Sequence, residues 1–270
     1  MAPDFSSPDR PAARPPAHDT WSAGDYSVIG ATLQLVAEQL AEAAEIQPGA
    51  GVLDVAAGSG NATLAAARRF ASVTCTDTVT SQLERAAVRA LAEGFDVKCR
   101  PADAQALPFA DGSFDAVLSC FGAMYAADAR RAAAEMLRVA RHGGRIGLAC
   151  WAPEGFAGQF YRVLGAHAGT DWSVPLAWGQ AEFLRELFGA HGEVRSTRRH
   201  FNFRYASAGH FVSLFRRYHG PTLRAFESLQ PRGQAQLHEE LLALLNRCNV
   251  AGRSTLVVPA EYVETVVTLR

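Results

Sequence analysis

The sequence has no unbroken apolar run of the ~18 residues that a membrane-spanning helix needs, so no spanning segment is expected. Its start lacks a basic stretch leading into an apolar core, and the reading predicts no signal peptide there. Neither sign of charge is in excess: 26 Lys and Arg stand against 27 Asp and Glu, a formal net charge of −1. Nothing global therefore favours a nucleic acid or an anionic membrane as a partner. Two local basic clusters, Arg198 with Arg199 and Arg204, and Arg216 with Arg217, are short and read as ordinary solvated charges. Cysteine is scarce, with five residues (Cys75, Cys99, Cys120, Cys150 and Cys248), an odd number without C-x-x-C spacing. Four of them fall in apolar, strand-like runs, where a thiol acts as a small hydrophobe. This predicts no disulfide framework, no metal site, and a reduced, cytoplasmic protein.

What is present is enough for a sizeable core: 270 residues, 49% of them hydrophobic. Residues 1–17 are rich in Pro and Ala and read as a disordered tail. The remainder, 18–270, reads as one domain with three parts: a segment at 18–45, a core at 46–151, and further elements at 152–270. In the first part Ile29, Leu33, Val36 and Leu40 recur at helical steps, which predicts a helix over 28–45 that Pro48-Gly49 ends. Strands are then expected at 51–55, 72–76, 95–100, 114–120 and 145–150. Helices are expected at 60–70, 80–93 and 127–140, with a loop from Asp103 to Gly112. This alternation predicts an α/β, doubly wound, mostly parallel sheet with helices on both faces. Residues 152–180, rich in Gly, Pro and aromatics, carry no clear element. Beyond them the reading places a helix at 180–188, a strand at 193–205, helices at 207–218, 221–228 and 231–247, and a seventh strand at 262–269.

The chemistry begins in Val52-Leu53-Asp54-Val55-Ala56-Ala57-Gly58-Ser59-Gly60-Asn61. Gly58 and Gly60 let backbone approach a ligand closely, and the helix that starts near Asn61 offers free N–H groups to an anion. Alone, such a loop can equally be a plain tight turn. The third glycine of a dinucleotide fingerprint is missing, since Thr63 stands there, so a nicotinamide dinucleotide is disfavoured. The chain has no Gly-Lys pair, so a P-loop is disfavoured as well. Asp77 ends the second strand, where a carboxylate can accept both hydroxyls of a ribose. Asp103 follows the third strand, where a carboxylate can accept from the exocyclic amine of adenine. Either acid alone is also a common turn former or helix cap. The loop and both acids at successive strand ends describe an adenosine without a pyrophosphate.

These pieces, together with Asp103-Ala104-Gln105-Ala106-Leu107-Pro108-Phe109, Ser113-Phe114-Asp115-Ala116-Val117 and Arg138-Val139-Ala140-Arg141-His142-Gly143-Gly144, resemble the class I S-adenosylmethionine-dependent methyltransferases. The resemblance is strong over about 46–151, and its Leu-Pro-Phe and Ser-Phe-Asp pieces are similar to the branch acting in ubiquinone and menaquinone pathways and on small molecules. It implies a Rossmann-like fold with a seven-stranded sheet and a helical lid built from the N-terminal segment and the region between the last two strands. It implies S-adenosyl-L-methionine as cofactor. Asp54, Ala56, Gly58 and Gly60 would take the methionine end, Asp77 and Thr78 the ribose, Asp103 and Ala104 the adenine, and Cys120 the reactive side.

Methyl transfer needs alignment more than a catalytic group. Tyr26, His18 and Tyr125 are the residues that could carry a proton, with His167, His200, His210, His219 and Tyr161 behind them. Phe121, Tyr125, Trp151 and Tyr161 would line a fairly apolar acceptor site. The segment Trp21 to Tyr26 would fold over the cofactor, or simply anchor the first helix. The expected function is methyl transfer to a small molecule on O, N or C, by a monomer or homodimer. Two rivals are a protein or RNA methyltransferase and an S-adenosylmethionine-binding protein without transferase activity.

Overall fold

The computed structural model describes residues 18–252 and 254–270, with side chains from Thr20 onward. The tail expected at 1–17 lies outside the described residues.

The sheet is built from β1 (Gly51–Val55), β2 (Ser72–Asp77), β3 (Lys98–Pro101), β4 (Phe114–Cys120), β5 (Ala140–Trp151), β6 (Gly192–Tyr205) and β7 (Leu256–Leu269). Their order is β3-β2-β1-β4-β5-β7-β6. The first five run parallel, and β7 is antiparallel to both neighbours. β1 is apolar almost throughout and buried on both sides, as a central parallel strand must be. The strand order switches side between β1 and β4, so the carboxyl ends of those parallel strands open a crevice where ligands bind in such sheets.

The helices are α1 (Tyr26–Gly30), α2 (Gln34–Ala43), α3 (Asn61–Ala67), α4 (Thr80–Ala92), α5 (Ala129–Val139), α6 (Phe156–Ala168), α7 (Ser173–Ala177), α8 (Ala181–Phe188), α9 (Ala208–Tyr218), α10 (Gly220–Glu227) and α11 (Pro231–Cys248). One face of the sheet carries α2, α3 and α4; the other carries α5 and α8. The first layer is thin because its contacts are alanines, Ala37 and Ala41 on α2 and Ala44 just past its end meeting Ala62, Ala65 and Ala66 on α3. The other side is filled by larger groups such as Met136, Val139 and Phe188. The helices α6, α9, α10 and α11 pack on one another, against the ends of β6 and β7, and onto the segment at His18–Ser22. They form the lid.

Three expectations are corrected here. The helix expected over 28–45 starts at Tyr26 and is broken by a 3-10 turn at Ala31–Leu33, with α2 ending at Ala43. A helix, α6, occupies part of 152–180. Its glycines lower helix propensity, yet they are required by packing: a Cβ on Gly158 would sit 2.0 Å from the carbonyl oxygen of Pro153. The last strand begins at Leu256 rather than at 262. Pro259 argues against a strand in the sequence, since it cannot donate to a ladder. The structure accommodates it because residues 256–261 pair only with β6, and β5 begins pairing at Tyr262.

Candidate active site

At the carboxyl end of β1 the chain takes a left-handed turn at Ala56 (φ 52°), and β4 does the same at Phe121 (φ 54°). Non-glycine residues seldom adopt this conformation, and side by side at two adjacent strand ends they mark a site worth stored strain. Between them lies a cleft of about 1300 Å³, its open mouth included. Its walls bring together Asp54, Ala56, Gly58, Asp77, Thr78, Asp103, Ala104, Cys120, Phe121 and Tyr125 from the sequence-derived set. Gly60, Trp151 and Tyr161 are not on its surface. Gly60 (φ 85°) caps α3 beneath the loop, against Ala86. Trp151 lies one layer back, with its ring 3.8 Å from that of Phe121 and nearly parallel to it. Tyr161 supports Tyr125 from behind, hydroxyl to hydroxyl at 2.6 Å.

The acids differ in their surroundings. Asp54 is buried, and its Oδ2 accepts from the backbone N–H and the hydroxyl of Thr63, both at 2.7 Å. Its Oδ1 is buried and has no hydrogen-bond partner among the described residues. Burial pushes the carboxyl up to about 7, against the opposing pull of Thr63. A buried carboxylate oxygen with nothing to accept from suits a cationic ammonium group. Asp77 accepts from Gly58 N–H at 2.8 Å and from Val79 N–H at 2.8 Å. Burial raises its carboxyl, and these backbone donors oppose that rise. Asp103 folds back on Gln105, accepting from its backbone N–H at 2.9 Å and from its side-chain amide.

Several residues that hold the site have no motif signal. Arg89 on α4 donates to the carbonyl oxygen of Ser59 at 2.5 Å, to Asn61 Oδ1 at 3.0 Å and to Gln34 Oε1 at 3.0 Å. One guanidinium thus ties the glycine loop to two helices. Ser119 on β4 donates to Val55 O at 2.7 Å and accepts from Ala123 N–H at 2.8 Å, pinning the two strand ends together. Their only sequence cue is polarity inside apolar or helical runs, which does not distinguish them from solvated positions.

Aromatic side chains close the other side. Trp21 lies 4.5 Å from Tyr125 and 5.8 Å from Tyr26 between ring centroids. Its segment is held by Arg85, whose Nε is 3.2 Å from Asp25 Oδ1, and by Gly24 packed on the backbone of Tyr218. Among the other proton-carrying residues, His167 pairs with Glu240, His200 lies near Glu261, and His210 Nδ1 accepts from Ala206 N–H just before α9, all away from the cleft walls. The side chain of His18 falls outside the described residues. His219 is buried behind Tyr161.

The fold and cleft thus define an α/β protein with three carboxylates and a glycine loop on one side of a sheet-end crevice and aromatic side chains on the other. The family model described as a methyltransferase domain matches residues 53–148. An uncharacterised protein of Mycobacterium tuberculosis is 36% identical over 234 residues, covering 83% of this chain and 85% of its own. The demethylmenaquinone methyltransferase of Thermus thermophilus is 40% identical over 116 residues, 42% of this chain and 53% of that one. A solved putative methyltransferase from Bacillus halodurans superposes with a TM-score of 0.61 at 22% identity, covering 85% of this chain and 96% of the other, a likeness of fold. The chain belongs to the class I S-adenosylmethionine-dependent methyltransferases. Its cofactor is S-adenosyl-L-methionine.

Proposed function

We propose that this enzyme transfers the cofactor's methyl group to a small, fairly apolar acceptor on O, N or C. The observation that carries the reading is the composition of the cleft. Its carboxylates, Asp54, Asp77 and Asp103, lie at the ends of β1, β2 and β3, while Trp21, Tyr26, Phe121 and Tyr125 wall it without a charge. A peptide or RNA acceptor would want an exposed charged groove instead.

When bound, the cofactor supplies an electrophilic methyl group on a positively charged sulfur. Asp54 Oδ1 takes the ammonium of its methionine end, and the backbone of Ala56 and Gly58 lies against the same end. The free lone pairs of Asp77 accept the ribose hydroxyls beside Thr78. Asp103 and Ala104 hold the adenine edge. Cys120 and Phe121, at the end of β4, line the same cleft and would border the methyl group of a bound cofactor. Trp21 and Tyr26 exclude water, which keeps a displacement from being diverted to hydrolysis. No ionised side chain is needed on the acceptor side, because alignment supplies most of the rate.

The test is methyl-labelled cofactor incubated with the full chain and separated pools of small metabolites, protein and RNA. Label in small, organic-extractable molecules supports the reading. Label in protein or RNA overturns the acceptor class, and tight cofactor binding without label in any pool favours a binding protein without transferase activity.

A further inference from the structure

The sheet edge beneath the cleft holds a pair of thiols that cofactor binding does not use. Cys75 on β2 and Cys99 on β3 stand directly opposite one another in the parallel register, and their Sγ atoms are 2.9 Å apart. Both side chains lie on the face that α4 covers, in a cluster with Leu83 and Ala86 of that helix. Ala57 of the glycine loop packs against the same cluster and lines the cleft, so the pair lies one layer below the cleft wall. The next pairs along the two strands are Thr76 with Arg100 and Asp77 with Pro101.

We propose that Cys75 and Cys99 are a reversible modification site, a dithiol that a peroxide converts to an internal disulfide and that a small dithiol restores. The proposal is independent of the methyl acceptor.

The bond can form with little movement of the backbone. Opposed residues on neighbouring strands have Cα atoms about 4.8 Å apart, which lies inside the roughly 4.4–6.8 Å that a disulfide spans. Opposed residues in a parallel ladder also share a face, so neither thiol has to swing through the sheet; a slip of one residue would separate them, and the ladder is matched over Thr74 to Asp77. The spacing is shorter than the commonest disulfide separation, which favours a bond that is readily reopened.

The two thiols have different tasks. β3 is the edge strand of the sheet, and Cys99 is half-buried on it, while Cys75 is fully buried on the inner neighbour. An oxidant arriving from solvent therefore meets Cys99 first. Burial raises the Cys75 thiol well above its usual range, so it keeps its proton and does not attack a peroxide by itself. Its sulfur is already in contact with that of Cys99, so once Cys99 is oxidised Cys75 resolves it without a search.

The step balances. The Cys99 sulfur gives an electron pair to one peroxide oxygen, the oxygen–oxygen bond breaks, and the departing hydroxide takes the thiol proton and leaves as water. Cys99 is then a sulfenic acid. The Cys75 sulfur gives a pair to the Cys99 sulfur, the sulfur–oxygen bond breaks, and the hydroxide released takes the Cys75 proton as a second water. Two thiols have lost two electrons, and one peroxide has been reduced to two waters.

The consequence is mechanical. β3 has four residues and pairs with β2 alone, so it is the strand of this sheet most open to fraying. Ala102, Asp103 and Ala104 follow it and line the cleft. A covalent tie at Cys99 holds that wall against β2. It also closes a loop across the 24 positions that separate the two cysteines, which restricts the unfolded chain.

The test uses the full chain, freed of reductant and treated with a small excess of hydrogen peroxide, then alkylated and mapped by mass spectrometry without reduction. The titratable thiols of the denatured protein should fall by two from five, with a peptide pair joined through Cys75 and Cys99, and dithiothreitol should restore all five. The oxidised protein should melt about 5–10 °C higher, and amides at 98–104 should exchange more slowly. In Cys75→Ser, Cys99 should stop at a sulfenic acid that dimedone traps; in Cys99→Ser, Cys75 should stay unmodified at the same dose. The proposal is overturned by any of these results in the wild type: no loss of thiols, Cys99 carried to sulfinic acid without a cross-link, or a cross-link between two chains or through Cys120, Cys150 or Cys248. A cross-link that dithiothreitol does not open, or an unchanged or lower melting temperature, overturns it as well. The wild-type peptide map and melting curves decide even where a variant misfolds.

Discussion

The carboxylate of Asp77 accepts the backbone N–H of Gly58 at 2.8 Å, so the acid at the end of β2 also holds the loop at the end of β1. One side chain thereby fixes the spacing between the ends of β1 and β2 at the cleft. Asp77→Ala should weaken S-adenosylhomocysteine binding about 100-fold or more, because two charge-assisted contacts and the loop tie disappear together. Calorimetric titration checks this, and an unchanged affinity would remove Asp77 from the ribose role.

Asp54 predicts a pH dependence with a definite sign. Its carboxyl is raised to about 7 in the empty protein, so below that pH it holds a proton, which the ammonium of a bound ligand must displace. Affinity for S-adenosylhomocysteine should therefore climb as pH rises from about 5 to 7, by at most about tenfold per unit, and level off above. Calorimetry at pH 6 in buffers of different ionisation enthalpy should register proton release, and Asp54→Asn should bind more weakly with no release. The stability of the empty protein carries the opposite slope. A carboxyl raised on folding contributes stability at low pH that is lost as pH climbs from the unfolded value of about 4 to about 7.

Gly122 lies against the backbone of Ala56, and a Cβ there would stand 2.1 Å from the Ala56 carbonyl oxygen. Gly122→Ala should lower stability by about 1–3 kcal/mol and widen the cleft at the ends of β1 and β4. A melting curve with and without S-adenosylhomocysteine checks both effects: the empty protein should melt lower, and the ligand should restore less than in the wild type.

Arg89 is half-buried, and no carboxylate among the described residues hydrogen-bonds to it; its donors serve Ser59, Asn61 and Gln34. Arg89→Met keeps the packing of the stem and removes those bonds, each worth about 1.5–3 kcal/mol when charge-assisted. The glycine loop should exchange its amide hydrogens faster, and cofactor affinity should fall although Arg89 is outside the cleft wall. Hydrogen exchange at 57–61 that matches the wild type would show that the loop does not depend on it.

The cleft wall at the ends of β1 and β2 was legible because it is local. Asp54, the Gly58–Gly60 loop and Asp77 each follow a strand whose apolar run is plain in the sequence, and strand ends in a parallel sheet converge on one edge. The acceptor half was not legible in the same way. Trp151, placed in the acceptor site from its position after β5, lies behind Phe121, because successive residues at a strand end point to opposite faces and packing selects which one meets the cleft. Tyr125 reaches the cleft from the 3-10 turn after β4, while Tyr161 on α6 and His219 before α10 come to it from 36 and 94 residues further on. No period or spacing in the sequence connects them.

The sequence by itself determined the α/β class, seven strands and the identity of the cofactor, because each depends on runs of a few residues read in order. Only the tertiary structure decided that Pro259 sits inside a strand, that glycine-rich 156–168 is helical, and that one oxygen of Asp54 has no partner among the described residues. Those outcomes depend on what each segment meets across space: a strand with a neighbour on one side only, a carbonyl 2.0 Å from a missing side chain, and a hydroxyl nine residues on that occupies one carboxylate oxygen and not the other.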